Sequence, residues 1–354
     1  MVKVQKRARI RPIFEGVIRD RLNILRSMTP ARMVNFIKLV AGYHVSRWTK
    51  RPHQWGLPVA LSIEPTTSCN LRCPQCPSGL RVFSRPTGML QKELMSELLP
   101  QIRSSVHTIN FYFQGEPYLH PDFLEMVKMT LPYNIYTSTS TNAHYLDAAS
   151  AQATVESGLK RLIISVDGTT QATYGEYRVG GQLEKVLAGT RALVEAKRSS
   201  GSATPHLVWQ FVVFKPNEHQ IDEVKKLGRE LGVDEVVIKT AQIYDFENGS
   251  DLIPSEGKYA RYRKNAEGRF EIKNKLLNQC WRMWQSSVIT WDGKMVPCCF
   301  DKDAHYRLGD LKKEPLKTIW HSEAYHKFRQ AILIGRKEID ICKNCTEGTK
   351  VWAD

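Results

Sequence analysis

The stretch Val59-Ala-Leu-Ser-Ile63, followed five residues later by Cys69-Asn-Leu-Arg-Cys73-Pro-Gln-Cys76, joins a short apolar run to three closely spaced cysteines. The run predicts a buried β-strand, and the CxxxCxxC spacing puts three thiols on the loop after it. Three thiolates cannot complete a four-coordinate site, so the spacing indicates an iron–sulfur cluster with one iron open to a non-protein ligand. A zinc site completed by His53 or His107 is the alternative. A disulfide is disfavoured because it leaves one thiol unpaired.

From residue 59 onward, short β-rich runs alternate with helical runs, which predicts parallel βα units. The predicted strands are 59–63, 108–113, 134–138, 161–166, 207–214 and 235–239. The predicted helices are 92–102, 123–130, 145–157, 183–198 and 221–231. This order predicts an α/β fold, an open partial (β/α)6 barrel. Functional loops of such a barrel gather at the carboxyl ends of the strands, where the cysteine loop lies.

The cysteine loop resembles the cofactor loop of the radical S-adenosylmethionine (SAM) superfamily, whose core is a partial TIM-like barrel. The resemblance implies that Cys69, Cys73 and Cys76 hold a [4Fe-4S] cluster whose open iron binds SAM. In that family SAM is reductively cleaved to methionine and a 5′-deoxyadenosyl radical, which abstracts a hydrogen atom from the substrate. The same resemblance implies a low-potential electron donor such as flavodoxin or ferredoxin.

The segment after the second strand, Gln114-Gly115-Glu116-Pro117, is similar to the family's Gly-Gly-Glu-Pro motif. It departs from the motif at Gln114, where the first glycine is usual. A glycine lets the backbone approach a ligand closely, and a carboxylate can accept hydrogen bonds from the ammonium of SAM. The resemblance therefore implies SAM contacts from Gly115, Glu116 and Pro117, and the alternative is a surface turn.

The fourth strand ends in Ser165-Val-Asp167-Gly168, and Arg178 follows ten residues later. This resembles the family's Ser-x-Asp-Gly element, and it implies that Ser165 and Arg178 reach the ribose or carboxylate of SAM. A planar guanidinium can donate two hydrogen bonds to a carboxylate at once. A strand-end hydroxyl and a surface ion pair are the alternatives. Thr141-Asn-Ala143 is a weaker match to the family's Thr-Asn-Gly element.

A second set of cysteines lies in the C-terminal quarter of the chain. Its members are Cys280, Cys298, Cys342 and Cys345. Residues 288–297 predict a β-hairpin that turns at Asp292-Gly293 and delivers Cys298 at the end of the returning strand. The set resembles the SPASM or Twitch domain of radical SAM enzymes in a form with one auxiliary [4Fe-4S] cluster, since no cysteine follows Cys345. Zinc is the alternative, and Cys299 is an alternative ligand.

Positive charge is concentrated at the start of the chain. In residues 1–55, 13 Lys and Arg stand against Glu15 and Asp20, a formal balance of +11 out of +15 for the whole chain. After Thr29-Pro30, apolar residues recur at helical spacing, which predicts a basic amphipathic helix. They are Met33, Phe36, Ile37, Val40, Ala41 and Tyr43. Such a helix packs on the barrel, lies on an anionic membrane surface, or holds an acidic or lipid-linked substrate. We see no secretory signal and no apolar run long enough to cross a bilayer.

The expected organisation is a basic helical arm (1–55), a radical SAM partial barrel (56–245), a linker (246–279) and a small α+β auxiliary-cluster domain (280–354). The expected function is oxidation or C–H modification of a small molecule, a saccharide or a lipid-linked intermediate. A ribosomal peptide maturase is the alternative within the family, although an arm of about 55 residues is shorter than a winged peptide-recognition domain of roughly 80 to 90 residues. No catalytic acid or base is predicted.

An alternative of another class is a non-catalytic protein that binds nucleic acid or a membrane and carries structural cysteine–metal sites. Of these partners, nucleic acid is the less favoured. Iron–sulfur clusters need reduced thiols, so a cytoplasmic location is expected, with peripheral contact of the basic arm with the inner membrane surface as an option.

Overall fold

The computed structural model describes residues 13–346, with side chains from residue 16 onward. Six parallel strands form its centre, and they are hydrogen-bonded in the order in which they occur in the chain. They are β1 (Ala60–Ile63), β2 (Thr108–Asn110), β3 (Tyr136–Thr141), β4 (Arg161–Ser165), β5 (His206–Val213) and β6 (Glu235–Thr240). The predicted partial barrel is confirmed, and each predicted strand is present with ends shifted by a few residues.

Helices lie between the strands of this sheet, and further helices precede the first strand and follow the last one. They are α1 (Ile13–Arg26), α2 (Pro30–Thr49), α3 (Pro77–Leu80), α4 (Lys92–Ile102), α5 (Phe123–Lys128), α6 (Ala148–Glu156), α7 (Gln171–Tyr177), α8 (Leu183–Ser199), α9 (Ile221–Leu231), α10 (Trp281–Gln285), α11 (Leu316–Trp320), α12 (Glu323–Gly335) and α13 (Asp340–Lys343). Helices α4 and α9 have the bounds predicted from their apolar periodicity. Short 3₁₀ turns lie at Pro117–Leu119, Leu131–Tyr133, Lys215–Gln220 and Arg336–Glu338.

The C-terminal region joins the barrel sheet through a hairpin. Strands β9 (Ser286–Ile289) and β10 (Lys294–Val296) are antiparallel and turn at Asp292-Gly293, as predicted, with Gly293 at φ 86°. Strand β11 (Gly309–Asp310) pairs with β10, and β9 lies parallel to β1. One sheet of nine strands therefore connects the first cysteine loop to the region of the second cysteine set.

The segment predicted as a linker, 246–279, carries structure of its own. Strands β7 (Tyr262–Lys264) and β8 (Phe270–Ile272) form a separate antiparallel pair. Phe246 stacks on Tyr262 with ring centroids 4.5 Å apart, and both belong to a small apolar cluster with Phe214. The sequence pattern does not predict this cluster, because its apolar residues are separated by polar ones. A small cluster can form from few apolar side chains when aromatic rings stack.

The N-terminal helices pack against the amino ends of the barrel strands. Asp20 of α1 accepts hydrogen bonds from Tyr136 and Arg161, the first residues of β3 and β4. The buried guanidinium of Arg32 in α2 donates to the carbonyls of Tyr133 and Asn134, just before β3. The arm therefore lies at the end of the barrel opposite the cysteine loop, which follows the carboxyl end of β1.

Helix α2 buries one side and exposes another. Tyr43 is fully buried, and its ring contacts Trp281 and Trp284 with centroids 5.2 and 5.6 Å away. Burial of a side chain of this size contributes roughly 2 kcal/mol. Met33 and Ile37 are exposed, so the apolar positions noted in the sequence divide between two faces.

Residues 1–12 of the predicted arm and 347–354 of the predicted auxiliary domain lie outside the described residues. Within 13–346, no helix is both long and apolar enough to cross a membrane.

Candidate cofactor sites

The three cysteines of the first loop each face a polar side chain from a different barrel loop. The sulfur of Cys76 lies 3.9 Å from Gln114 Oε1, after β2. The sulfur of Cys69 lies 3.9 Å from Asn142 Nδ2, after β3, and that of Cys73 lies 3.8 Å from Arg178 Nη1, after β4. These contacts place the thiols together at the carboxyl ends of three neighbouring strands.

The Gly115 segment is fixed against the cysteine loop by its backbone. Gly115 has φ 77°, and a Cβ there would lie 2.1 Å from the carbonyl oxygen of Thr66. Its N–H donates to Ser78 Oγ at 2.9 Å, and the N–H of Glu116 donates to the carbonyl of Ser68 at 2.8 Å. Only glycine fits this close approach, so the sequence motif has a structural reason at this position.

The carboxylate of Glu116 is buried and already holds three hydrogen bonds. It accepts from Tyr118 N, Thr141 Oγ1 and Asn142 N at 3.2, 2.7 and 2.7 Å. Burial raises the pKa of Glu116, against the effect of these donors. A carboxylate offers about four acceptor positions. Glu116 therefore joins the loops after β2 and β3 and keeps capacity for one further donor such as an ammonium. Pro117 is buried and begins the following turn.

Arg178 is held in place by Asp167, which belongs to the Ser165-Val-Asp167-Gly168 element. Its Nε donates to Asp167 Oδ2 at 2.6 Å, and its guanidinium lies over the Tyr177 ring. Asp167 is fully buried and accepts a second hydrogen bond from Val212 N on β5. Ser165 is buried at the end of β4. The arrangement directs the cationic end of Arg178 toward Cys73.

Sequence reasoning missed the partners that position these groups. Asn142 belongs to a weak sequence motif, yet its amide contacts Cys69 and also donates to Asn70 Oδ1 at 2.7 Å. Asn217, on the loop after β5, donates to the carbonyl of Asp167. The sequence signal for both asparagines is their place in the chain, because each follows the carboxyl end of a predicted strand, where barrel enzymes have their functional loops.

The second set of cysteines lines one enclosed cavity. Its cysteines are Cys280, Cys298, Cys342 and Cys345. The remaining wall is largely apolar, with Met283, Phe328 and Ile332 among its residues. Cys299 is not among the residues that line the cavity. Four thiols from three separated segments and an apolar wall fit a group that is fully ligated and shielded from water.

Arg336 is a buried cation at this second cavity. Its Nη2 lies 3.3 Å from the sulfur of Cys345, and its Nη1 donates to the carbonyl of Gln279 at 2.7 Å. Burial lowers the pKa of Arg336, but the neighbouring thiols outweigh that effect and the net pKa is raised. The cavity thus carries a positive charge next to sulfur, which suits a ligand set that is anionic.

Burial also raises the pKa of Cys69 and of Cys342 to about 11. Thiols in such surroundings stay protonated at neutral pH unless a metal displaces the proton. In the described part of the chain, no three His, Cys, Asp or Glu side chains are arranged to hold a single metal ion.

Gln75, Tyr244 and Lys302 form a polar group, here called the inter-site surface, between the first cysteine loop and the loop that carries Cys298 and Cys299. Tyr244 N donates to Gln75 Oε1 on the first cysteine loop, and Lys302 Nζ lies 4.6 Å from the Tyr244 ring centroid. Burial lowers the pKa of Lys302, while the thiols of Cys76 and Cys299 act in the opposite direction. Lys302 therefore lies within electrostatic reach of both cysteine-bearing loops.

Two family models match the chain. One, described as the radical SAM superfamily, matches residues 63–228, and the other, described as an iron–sulfur cluster-binding domain and named SPASM, matches residues 280–346.

Two curated relatives and one solved structure resemble most of the chain. The PqqA peptide cyclase of Gluconobacter oxydans is 30% identical over 314 residues, which cover 83% of this chain and 84% of that protein. The tungsten-containing aldehyde ferredoxin oxidoreductase cofactor-modifying protein of Pyrococcus furiosus is 26% identical over 300 residues, 76% and 82% of the two chains. The structure of Streptococcus suis SuiB bound to S-adenosylmethionine has a TM-score of 0.61 at 15% identity, covering 87% of this chain and 76% of that one. At this identity the likeness to SuiB concerns the fold.

Proposed function

The chain belongs to the radical SAM superfamily and carries a SPASM iron–sulfur domain, and from this premise we propose that it oxidises or C–H-modifies an organic substrate held between its two cysteine sites. The family brings a SAM-binding [4Fe-4S] cluster, auxiliary iron–sulfur ligation and SAM as cosubstrate. When bound, these groups supply hydrogen-atom abstraction and electron transfer. The observation that carries the proposal is the contrast between three thiols facing polar loops and four thiols enclosed in a cavity.

In this proposal the first loop, through Cys69, Cys73 and Cys76, ligates the SAM-binding cluster. Gly115, Glu116 and Pro117 would hold the methionine part of SAM, with the free acceptor position of Glu116 available to an ammonium. Arg178 carries the charge that suits a carboxylate, and Asp167 fixes its direction with a 2.6 Å hydrogen bond. Ser165 lies at the same strand end and is available to donate to SAM.

The second site is proposed to hold one auxiliary [4Fe-4S] cluster. Its ligands would be Cys280, Cys298, Cys342 and Cys345, which line a single cavity. Complete cysteine ligation leaves no open iron for a substrate, so this cluster would carry electrons. An electron acceptor beside the substrate makes a net oxidation possible, and a low-potential donor such as flavodoxin or ferredoxin would reduce the first cluster.

The substrate proposed first is a small polar molecule or a saccharide. The inter-site surface supports this, because Lys302 and the Tyr244 hydroxyl can bind anionic or hydroxyl groups next to Cys76. In the described part of the arm, α1 and α2 pack at the opposite end of the barrel and do not form a domain beside this surface. The relative from Pyrococcus furiosus is named for acting on a cofactor, which is also a small molecule.

A peptide is the second candidate substrate. It is favoured by the relative with 30% identity, which is named as a peptide cyclase. In that case the same two sites would serve bond formation on a peptide rather than oxidation of a small molecule. The cytoplasm is proposed as the location under either alternative, because both clusters need reduced thiols.

The deciding experiment is anaerobic purification followed by metal analysis and reduction in the presence of SAM. We expect about eight irons per chain, little zinc and formation of 5′-deoxyadenosine on reduction. Zinc without iron would overturn the proposal. Substrate class is then separated by adding candidate small molecules or peptides and measuring which of them increases 5′-deoxyadenosine formation.

A further inference from the structure

The outer faces of α1 and α2 carry an apolar stripe bordered by cations. In α1 the exposed apolar side chains are Ile18, Leu22 and Leu25, which are four and three residues apart and lie on one helical face. Arg21 and Arg26 are exposed on the two sides of this stripe. The inner face of the same helix binds the barrel through Asp20, so the stripe lies on the outward side of the helix.

Helix α2 repeats this arrangement over a longer distance. Met33, Ile37 and Trp48 are exposed by 43, 59 and 84%, and they lie on one face of the helix. Lys38 and Arg47 border them on either side by helical spacing. The opposite face is buried through Tyr43. A 20-residue helix of this kind spans about 30 Å.

Charge on this surface has one sign. From residue 16 to residue 55 the sequence contains one carboxylate, Asp20, and it is buried and bonded to Arg161. The exposed ionised side chains of this segment are therefore cationic. A groove beside α2 adds one further cation, Lys317, on its lining. Aromatic and aliphatic side chains bordered by cations are the composition of helices that lie in the interface of an anionic bilayer.

We propose that the outer faces of α1 and α2 form a docking surface for an anionic lipid membrane. Ile18, Leu22, Leu25, Met33, Ile37 and Trp48 would enter the interfacial layer, and the bordering cations would bind lipid headgroups. Five further Lys and Arg occur among residues 1–12 and raise the positive charge of the same segment. The charge complementarity selects an anionic bilayer over a second copy of this chain, because two copies would bring cations against cations.

Docking at this surface fixes the orientation of the protein. The helices pack at the amino ends of β3 and β4, whereas the first cysteine loop follows the carboxyl end of β1. The cofactor site and the inter-site surface would then face away from the bilayer. If the proposed function holds, the substrate arrives from the aqueous phase, and the lipid-linked intermediate expected from the sequence is disfavoured.

The test uses the reconstituted protein in co-sedimentation with vesicles of phosphatidylcholine, with and without phosphatidylglycerol. We expect binding only with phosphatidylglycerol, weakened by salt, and reduced at least about tenfold in the double variant Ile37→Glu/Trp48→Glu. The matched control is Ile334→Glu, an exposed isoleucine of α12 (67% exposed), which should bind like the wild type. Equal loss in the control, or no binding by the wild type, would overturn the proposal.

Orientation is tested by hydrogen exchange on the same vesicles. Vesicles should slow amide exchange only in residues 16–55. Slower exchange in residues 69–84 or 142–147 would contradict the proposed orientation. A change from dimer to monomer in the double variant, without vesicle binding by the wild type, would identify a self-association surface instead and overturn membrane docking. Iron content and 5′-deoxyadenosine formation, measured without vesicles, separate this result from a failure of the proposed function.

Discussion

The two cysteine sites differ in how they are built and in what surrounds the sulfurs. The first is local: three thiols lie within eight residues, and each faces a polar side chain from a separate barrel loop. The second is assembled from segments up to 65 residues apart, and its thiols line a largely apolar cavity. We infer from this difference that one site is open to a ligand and the other closed to it. An open site suits chemistry on SAM, and a closed one suits electron transfer.

The largest expected effect separates the two sites by removing one ligand from each. Cys73→Ser should remove about half of the bound iron and reduce 5′-deoxyadenosine formation to background, because SAM then lacks its iron. Cys342→Ser should also remove about half of the iron but leave SAM cleavage measurable. Iron analysis and chromatography of the products check both outcomes.

The matched control for this pair is Cys299→Ser, since Cys299 does not line the second cavity. It should retain full iron and wild-type SAM cleavage. Loss of iron in this variant would mean that the ligand set of the second site is assigned incorrectly. Loss of SAM cleavage in Cys342→Ser with the first cluster intact would contradict the division of roles.

The difference in construction also explains what the sequence could predict. The first site was readable because Cys69, Cys73 and Cys76 are neighbours in the chain and follow a strand with a clear apolar pattern. The set of four C-terminal cysteines was readable only through family resemblance, since spacing does not reveal which distant segments meet. The Asp292-Gly293 hairpin was predicted because a two-residue turn is a local signal.

The contacts that position the sites were not predictable in the same way. Glu116 joins the loops after β2 and β3, and Asp167 bonds Val212 on β5, so both contacts depend on which strands are neighbours. Asp167 also holds Arg178 within the loop after β4, through a loop conformation that residue spacing does not reveal. Arg336 belongs to no sequence motif and reaches Cys345 only through the fold of the C-terminal turn. Likewise, α2 has a buried and an exposed face because only one of its sides contacts the rest of the fold. The helical spacing of apolar residues alone does not show which side that is.

The second expected effect concerns the open site and its cation. Arg178→Met should raise the Kd for SAM by about 10- to 100-fold, because a charged hydrogen bond contributes roughly 1.5–3 kcal/mol. Arg178→Lys should give a smaller increase, since it keeps the charge but not the planar fork. Equilibrium binding of SAM to the anaerobic protein measures both variants.

The control for this variant is Arg191→Met, which removes an exposed arginine paired with Glu184 on the barrel surface. It should bind SAM like the wild type, because exposed ion pairs contribute little. If Arg178→Met bound SAM normally while losing thermal stability, Arg178 would be a structural partner of Asp167 only.

The third expected effect is kinetic and compares the sites directly. An iron chelator should remove iron from the first site several-fold faster than from the second, because two of the three first-site cysteines are partly exposed, whereas three of the four second-site cysteines are buried. The exceptions are Cys73, which is buried, and Cys298, which is partly exposed. Variants that retain one site each allow the two rates to be measured by absorbance. SAM should slow the loss from the first site alone, and equal protection of both sites would contradict the closed character of the second.

The smallest expected effect tests why the second cavity contains a cation. Arg336 places its Nη2 3.3 Å from the sulfur of Cys345, and a positive charge beside a cluster ligand favours the reduced state. Arg336→Gln should therefore lower the midpoint potential of the auxiliary cluster by roughly 50–100 mV, as expected for loss of one charged hydrogen bond in a one-electron couple. Arg336→Lys, which keeps the charge, should shift it less. The potential of the SAM-binding cluster, titrated in the same samples by electron paramagnetic resonance, should not change. An unchanged auxiliary potential with full iron would reduce Arg336 to a structural partner of the Gln279 carbonyl, and the closed site would then owe its potential to its apolar wall alone.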